Sequence, residues 1–246
     1  MRSQFIAVLD SGVGGLSVLK ELVQNFPNER FLYLGDKNNF PYGQKSKEQL
    51  FNITKSNINF LRKYDIKLLV LACNTLSVNL LNEIEDYSKI KTFGVFPPVQ
   101  DDCLEKTLLL CTKLTASIYK SNERCDVVAL NNLASIIQNN FYNLHKIDFI
   151  DCIKEDAKGR FVNQKGYYST VILGCTHYEF IKNQIYDHFQ PQKITSGIKN
   201  TIFQINKFIK YQKSLVKIKQ KQVLFVGESA EIVKKFWVYS GQNSQN

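Results

Sequence analysis

Residues 68–75 read LLVLACNT, and residues 170–177 read TVILGCTH. In both, a continuous apolar run meets a small residue, then a cysteine, then polar residues suited to opening a helix. A short apolar run bounded in this way is the pattern of a strand buried on both faces, as in a parallel sheet covered by helices. The cysteines, Cys73 and Cys175, stand 102 positions apart. The echo predicts two similar α/β halves, each presenting one thiol at the C-terminal end of a strand. That edge is where open α/β sheets bind ligands.

Outward from these two anchors, strand-like and helix-like segments alternate. FIAVL at 5–9 reads as a buried strand ending at Asp10-Ser11-Gly12, followed by a helix over about 16–25. Further strands are expected at 31–34, 67–72 and 92–96, with helices over about 46–64 and 75–87, and Pro97-Pro98 ends this run. Beyond it, strands are expected at 108–111, 126–130, 169–173 and 223–226. The helices there are expected at about 112–119, 133–143, 148–158, 177–189 and 229–238. The order predicts an α/β protein of two similar domains with mainly parallel sheets and an active site in the cleft between them.

With 246 residues, 44% of them hydrophobic, the chain is long enough to bury a sizeable core. Its net charge of +10 admits nucleic acid, an anionic membrane surface or an acidic small molecule as partner. Lys and Asn are spread along the whole chain, however, so solvated faces and a composition bias explain the charge more simply. The basic stretch Lys207–Lys221 is interrupted by apolar residues throughout, which favours a surface helix or connector over a nucleic-acid arm. No apolar run approaches the ~20 residues that span a bilayer. The N-terminal apolar run stops at Asp10, too early for a secretory signal. A cytoplasmic protein without nucleic-acid or membrane partners is expected. Six cysteines (73, 103, 111, 125, 152, 175) include no C-x-x-C pair, and the three histidines (145, 177, 188) are scattered, so free thiols and no metal site are expected.

A cysteine opening a helix faces the positive end of the helix dipole, which favours the thiolate. Two such thiols facing each other across a cleft suit one reaction: a thiolate removes a proton from one face of a carbon, and a thiol returns one to the other face. Ser11, Asn74, Thr75, Thr112 and Thr176 stand at strand–helix junctions, where backbone N–H groups can hold a carboxylate without Lys or Arg. Asp10 can bind an ammonium or orient a thiol, or simply close the turn before the glycines. His177 is placed to assist proton transfer at Cys175. Gly12-Val13-Gly14-Gly15 is not G-x-G-x-x-G and precedes no G-K-[ST], so it reads as a tight turn with close backbone approach. Pro41-Tyr42-Gly43 reads as a loop overhanging the cleft.

The segments IAVLDSGVGGLSVLKEL (6–22), YLGD (33–36), FPYGQKS (40–46), LVLACNTLS (69–77) and VILGCTHYEFI (171–181) resemble glutamate racemases, members of the cofactor-independent aspartate/glutamate racemase superfamily. DSGVGG, PYG, CNT and GCTH in that order are highly specific together. The resemblance implies two α/β domains whose chain returns to the first at its end, here residues 1–97 plus about 206–246 and about 98–205. It implies Cys73 and Cys175 as the acid/base thiols, assisted by Asp10 and His177. Ser11, Pro41, Tyr42, Gly43, Asn74, Thr75, Thr112 and Thr176 would line the substrate site. It further implies glutamate as the small-molecule substrate, no cofactor or metal, a homodimer as a common assembly, and D-glutamate supplied to peptidoglycan.

The departures from the pattern fall in the second half. A Gly-Thr pair becomes Cys111-Thr112, and the following pattern survives only loosely in Thr115, Ser117 and Tyr119. A segment whose Glu contributes to the family's site aligns with Ser135-Ile136-Ile137-Gln138, which places Gln138 where the acid would stand. A Ser-Gly-Asp motif becomes Ser196-Gly197-Ile198, again without its acid. These changes leave two alternatives beside a glutamate racemase: a racemase for another acidic amino acid such as aspartate, and a catalytically silent binding or regulatory paralogue.

Overall fold

The computed structural model describes residues 4–100, 105–156, 165–211 and 222–242. Two separate parallel sheets organise them. The first comprises β1 (Phe5–Asp10), β2 (Arg30–Gly35), β3 (Ile66–Leu71), β4 (Thr92–Gly94) and β9 (Gln222–Val226), in the spatial order β4-β3-β1-β2-β9. The second comprises β5 (Thr107–Cys111), β6 (Cys125–Ala129), β7 (Thr170–Gly174) and β8 (Lys193–Ser196), in the order β6-β5-β7-β8. Every pairing is parallel, so all strands of a sheet end on one edge.

The helices between the strands are α1 (Leu16–Asn25), α2 (Lys47–Leu61), α3 (Asn74–Ser88), α4 (Lys113–Ala116), α5 (Leu133–Asn139), α6 (Phe149–Asp156), α7 (Lys182–Phe189), α8 (Ile198–Tyr211) and α9 (Ala230–Gln242). All six residues of β1 are buried, and their alternation supplies two cores at once. Ile6 and Val8 pack with Leu16, Leu19 and Leu22 of α1 and Ile198, Ile202 and Ile205 of α8. Phe5, Ala7 and Leu9 pack with Leu50 and Ile58 of α2 and Leu76, Leu80 and Ile84 of α3. The period of two along a strand therefore requires a helix layer on each face, and the continuous apolar run is its signature. In the second sheet, Leu108, Leu110, Val171 and Leu173 pack against α5, α6 and α7.

Local signals set several boundaries. Ser46 and Gln49 form a reciprocal capping box that starts α2 at Lys47, one residue inside the expected range. The helix expected over 133–143 stops at Asn139, and a 3₁₀ segment runs over Phe141–Lys146, kinked at Asn143. The helix expected over 177–189 opens as a 3₁₀ turn, Thr176–Ile181, before α7. Two elements were not anticipated: the edge strand β8 and the helix α8, whose last five residues are the start of the basic 207–221 stretch. Positions 212–221 of that stretch lie outside the described residues, as does Cys103. Among the described residues, no helix is long and apolar enough to cross a membrane.

Candidate active site

The C-terminal edges of the two sheets meet. Asp10 ends β1 between β2 and β3, completely buried. Its Oδ2 accepts from the Gly12 N–H at 2.9 Å, and its Oδ1 accepts from the Thr176 hydroxyl of the other half at 3.5 Å. Burial raises its carboxyl to about 6, although the Gly12 and Gly15 N–H groups and the Thr176 hydroxyl favour the charged form.

Cys73 stands between β3 and α3, as the residue preceding the first helical turn. Burial, and after it the Asp10 charge, push its thiol up to about 12. The Leu76 N–H and the Ser11 and Thr75 hydroxyls act in the opposite direction, toward the thiolate. Cys175 follows β7 and precedes the 3₁₀ turn, the equivalent place in the second half. Burial, then proximity to Cys73, raise its thiol well above the ordinary range, and the His177 N–H opposes them. His177 Nδ1 lies 3.9 Å from Cys175 Sγ, and its ring is packed at 5.2 Å from that of Phe40. Burial pulls the imidazole down to about 3, so the ring is neutral at physiological pH.

Three threonine hydroxyls join the halves. Thr75 on α3 meets Thr112, the N-cap of α4, at 2.9 Å, and Thr112 in turn donates to Thr115 at 3.1 Å. The Pro41-Tyr42-Gly43 loop is held by Asp36. Its Oδ2 accepts from the Tyr42 hydroxyl at 2.7 Å and from Asn57 Nδ2 at 2.9 Å. These elements enclose a cavity of about 20 Å³, room for about one water molecule. Its walls include Ser11, Pro41, Tyr42, Gly43, Cys73, Asn74, Thr75, Thr112, Cys175, Thr176 and His177, with Asp10 buried beneath. The twelve candidate site residues named from the sequence thus converge on one place.

Comparison with known proteins adds a second line of observation. No family model matches the chain. The glutamate racemase of Clostridium acetobutylicum is 33% identical over 218 residues, covering 82% of this chain and 82% of that one. The chain belongs to the glutamate racemase family. It is an amino-acid racemase and hence an isomerase. Glutamate racemase 3 of Caldanaerobacter subterraneus is 34% identical over 197 residues, covering 75% of this chain and 70% of that one. Solved racemases share the two-sheet fold. The RacE1 isoform of Bacillus anthracis matches with a TM-score of 0.76 at 23% identity, covering 97% of this chain and 94% of that one. The Francisella tularensis glutamate racemase, solved in complex with D-glutamate, matches with a TM-score of 0.76 at 22% identity, covering 97% and 95%.

Within this racemase fold, sequence reasoning missed several members of the site. Phe40, Gln44, Lys113, Asn131 and Ala134 also line the cavity. Asp36 and Asn57 hold Tyr42 without lining it. Gln138, the residue aligned with the missing acid, places its Oε1 2.9 Å from His177 Nε2. Ser196-Gly197-Ile198 does not line this cavity: Ser196 ends β8 beside Leu173, and Gly197 packs against the backbone of Phe96. A larger cavity of about 630 Å³ opens beside Thr107, Cys125, Thr170 and Lys193, which start the strands of the second sheet. It also takes in Ile172, Ser196 and Ile198, so it runs along β8 from one end to the other, and it shares no lining residue with the cavity that holds the thiols. Among the described residues, no three His, Cys, Asp or Glu side chains form a group suited to a metal ion.

Proposed function

We propose that the protein interconverts L- and D-glutamate by a cofactor-independent two-thiol mechanism. The observation that carries this reading is the convergence of Cys73 and Cys175, from equivalent strand ends of two different sheets, on one closed cavity. One sulfur, as thiolate, takes the α-proton: its S–H bond forms as the C–H bond breaks. The other, as thiol, gives its proton to the opposite face of the carbanion, and the configuration inverts. The reverse reaction exchanges the two roles.

Asp10 is the group nearest Cys73 that can accept its proton, and His177 stands in the same relation to Cys175. The N–H groups opening α3 and the 3₁₀ turn at Thr176, together with the hydroxyls of Ser11, Thr75, Thr112 and Thr176, suit the substrate carboxylates. A cavity of about 20 Å³ is far too small for glutamate, so the halves separate to admit substrate and close again around it. Closure excludes water, which strengthens each of these electrostatic contacts.

In this reading the halves are two domains, and because α8 packs on the first sheet through Ile198, Ile202 and Ile205, the return to the first domain comes at about 198 rather than about 206. The protein acts in the cytoplasm, alone or as a homodimer, and its D-glutamate serves peptidoglycan synthesis. The related glutamate racemases support the choice of substrate. The test is the circular dichroism of enantiopure L-glutamate incubated with purified protein and no added cofactor. The signal is expected to decay to zero. A persistent signal would point to the silent paralogue, and faster decay with L-aspartate to an aspartate racemase.

A further inference from the structure

Gln138 lies on α5 in the second half, almost fully buried, and reaches the loop after β1 in the first. Its Oε1 is 3.0 Å from the Val13 backbone N and 2.9 Å from His177 Nε2. The Val13 N–H can only donate, so it fixes which end of the amide it faces: the carbonyl oxygen. That oxygen can only accept, so His177 Nε2 must carry a hydrogen. A neutral imidazole has one N–H, which leaves Nδ1 bare, and Nδ1 is the nitrogen that faces Cys175 Sγ. Reversing the amide would set its NH₂ against the Val13 N–H. The fold instead leaves Gln138 Nε2 buried without a partner among the described residues.

We propose that Gln138 is a positioning residue for the racemase reaction: it locks His177 in the Nε2–H tautomer and aims the bare Nδ1 lone pair at the Cys175 thiol. The proposal deepens the racemase reading and rests on it. A bare Nδ1 accepts a hydrogen bond from Cys175 S–H and repels its thiolate. Cys175 is thereby poised as the proton donor, and Cys73, beside Asp10, as the base of the same turnover. An acid at position 138 would make the same two contacts but add a negative charge that favours the imidazolium. Of the ionisable groups around it, Cys175 on its own turn is the one in contact with His177, while Tyr42, Cys73 at the start of α3 and Lys113 on α4 line the same cavity and Asp10 is buried at the end of β1. With an uncharged amide as its Nε2 partner, burial dominates and keeps the ring neutral.

Long-range ¹H–¹⁵N spectra of the labelled full chain test this directly, since only three histidines contribute and His177→Gln assigns the signal. His177 should show a protonated Nε2 and a bare Nδ1 at every pH from 5 to 9. Gln138→Glu should bring an imidazolium into that range and add its ionisation to the pH profile of kcat. The enantiomers have equal free energy, so kcat/KM must change equally in both directions, whereas kcat should change by unequal factors. Gln138→Met, which removes the acceptor at similar length, should yield a mixture of tautomers and at least a tenfold lower kcat. A wild-type Nδ1–H tautomer, an ordinary His177 titration, or a Gln138→Glu variant with unchanged spectrum and pH profile would overturn the proposal. The spectra report the tautomer whether or not glutamate is racemised, so the two readings fail separately.

Discussion

The hydroxyl oxygens of Thr75 and Thr112 lie 2.9 Å apart, one on each side of the cleft. They hydrogen-bond to each other, and in the proposed mechanism a carboxylate entering the cleft would take both as donors. Thr112→Val removes one donor and keeps the shape of the side chain. A hydrogen bond to a charged group contributes about 1.5–3 kcal/mol. KM for glutamate should therefore rise about tenfold or more, with a smaller change in kcat, because Thr112 reaches the Cys73 sulfur only through Thr75. Steady-state kinetics in both directions check the split.

Gly14 marks how closely the halves approach. A Cβ at this position would sit 2.3 Å from His177 Nδ1 and 2.7 Å from Thr176 Oγ1. Both atoms belong to the second half, so Gly14→Ala should prop the cleft open while each half keeps its own core. A displacement of about 1 Å at reacting groups can cost on the order of a hundredfold in rate. We expect kcat to fall by about that factor with the far-UV circular dichroism unchanged. Near-wild-type kcat would show that the closed arrangement is not the reactive one.

Two buried groups give stability opposite pH dependences. His177 is pulled from 6.5 to about 3, so the unfolded chain binds more protons between those values. Its contribution is complete above 6.5 and is lost as the pH falls toward 3. Asp10 is raised from 3.8 to about 6, so its contribution is complete below 3.8 and is lost as the pH rises through 6. The histidine shift is the larger, so their sum falls on acidification. His177→Gln should flatten the acid limb of urea-unfolding stability between pH 6.5 and 3. Asp10→Asn should steepen it between 3.8 and 6.

The sheets and the thiols were legible in sequence for one physical reason. A strand buried on both faces, such as β1 or β3, must be apolar without interruption, and the polar residues that end it form the candidate site. Edge position hid β8: Lys193–Ser196 is four residues long and half-exposed, with no continuous apolar run. Helix α8 did carry a signal, since Ile198, Ile202 and Ile205 fall on one stripe in the first core. The lysines from Lys207 onward drew the reading toward a surface segment instead. The break at Asn139 left no comparable mark, because residues 133–143 remain compatible with a helix throughout.

Site residues divided along similar lines. Those at strand ends announced themselves by position and type, as Asp10, Cys73, Cys175 and His177 did. Those acting through a neighbour did not. Asp36 matters because Tyr42 and Asn57 converge on it, and Gln138, which only the family resemblance singled out, because Val13, 125 positions away, donates to it. Such long-range contacts follow from how the two halves dock, and local sequence patterns carry little of that information.

The central claim is that two thiols, one on each side of the α-carbon, are both required. Racemisation of enantiopure L-glutamate in D₂O, followed together by circular dichroism and by loss of the α-proton NMR signal, tests it most directly. Wild type should lose both signals. Cys73→Ala and Cys175→Ala should each leave the dichroism unchanged, retaining at most one-sided exchange of the α-proton with solvent. Either variant racemising at a rate near that of wild type would contradict the account.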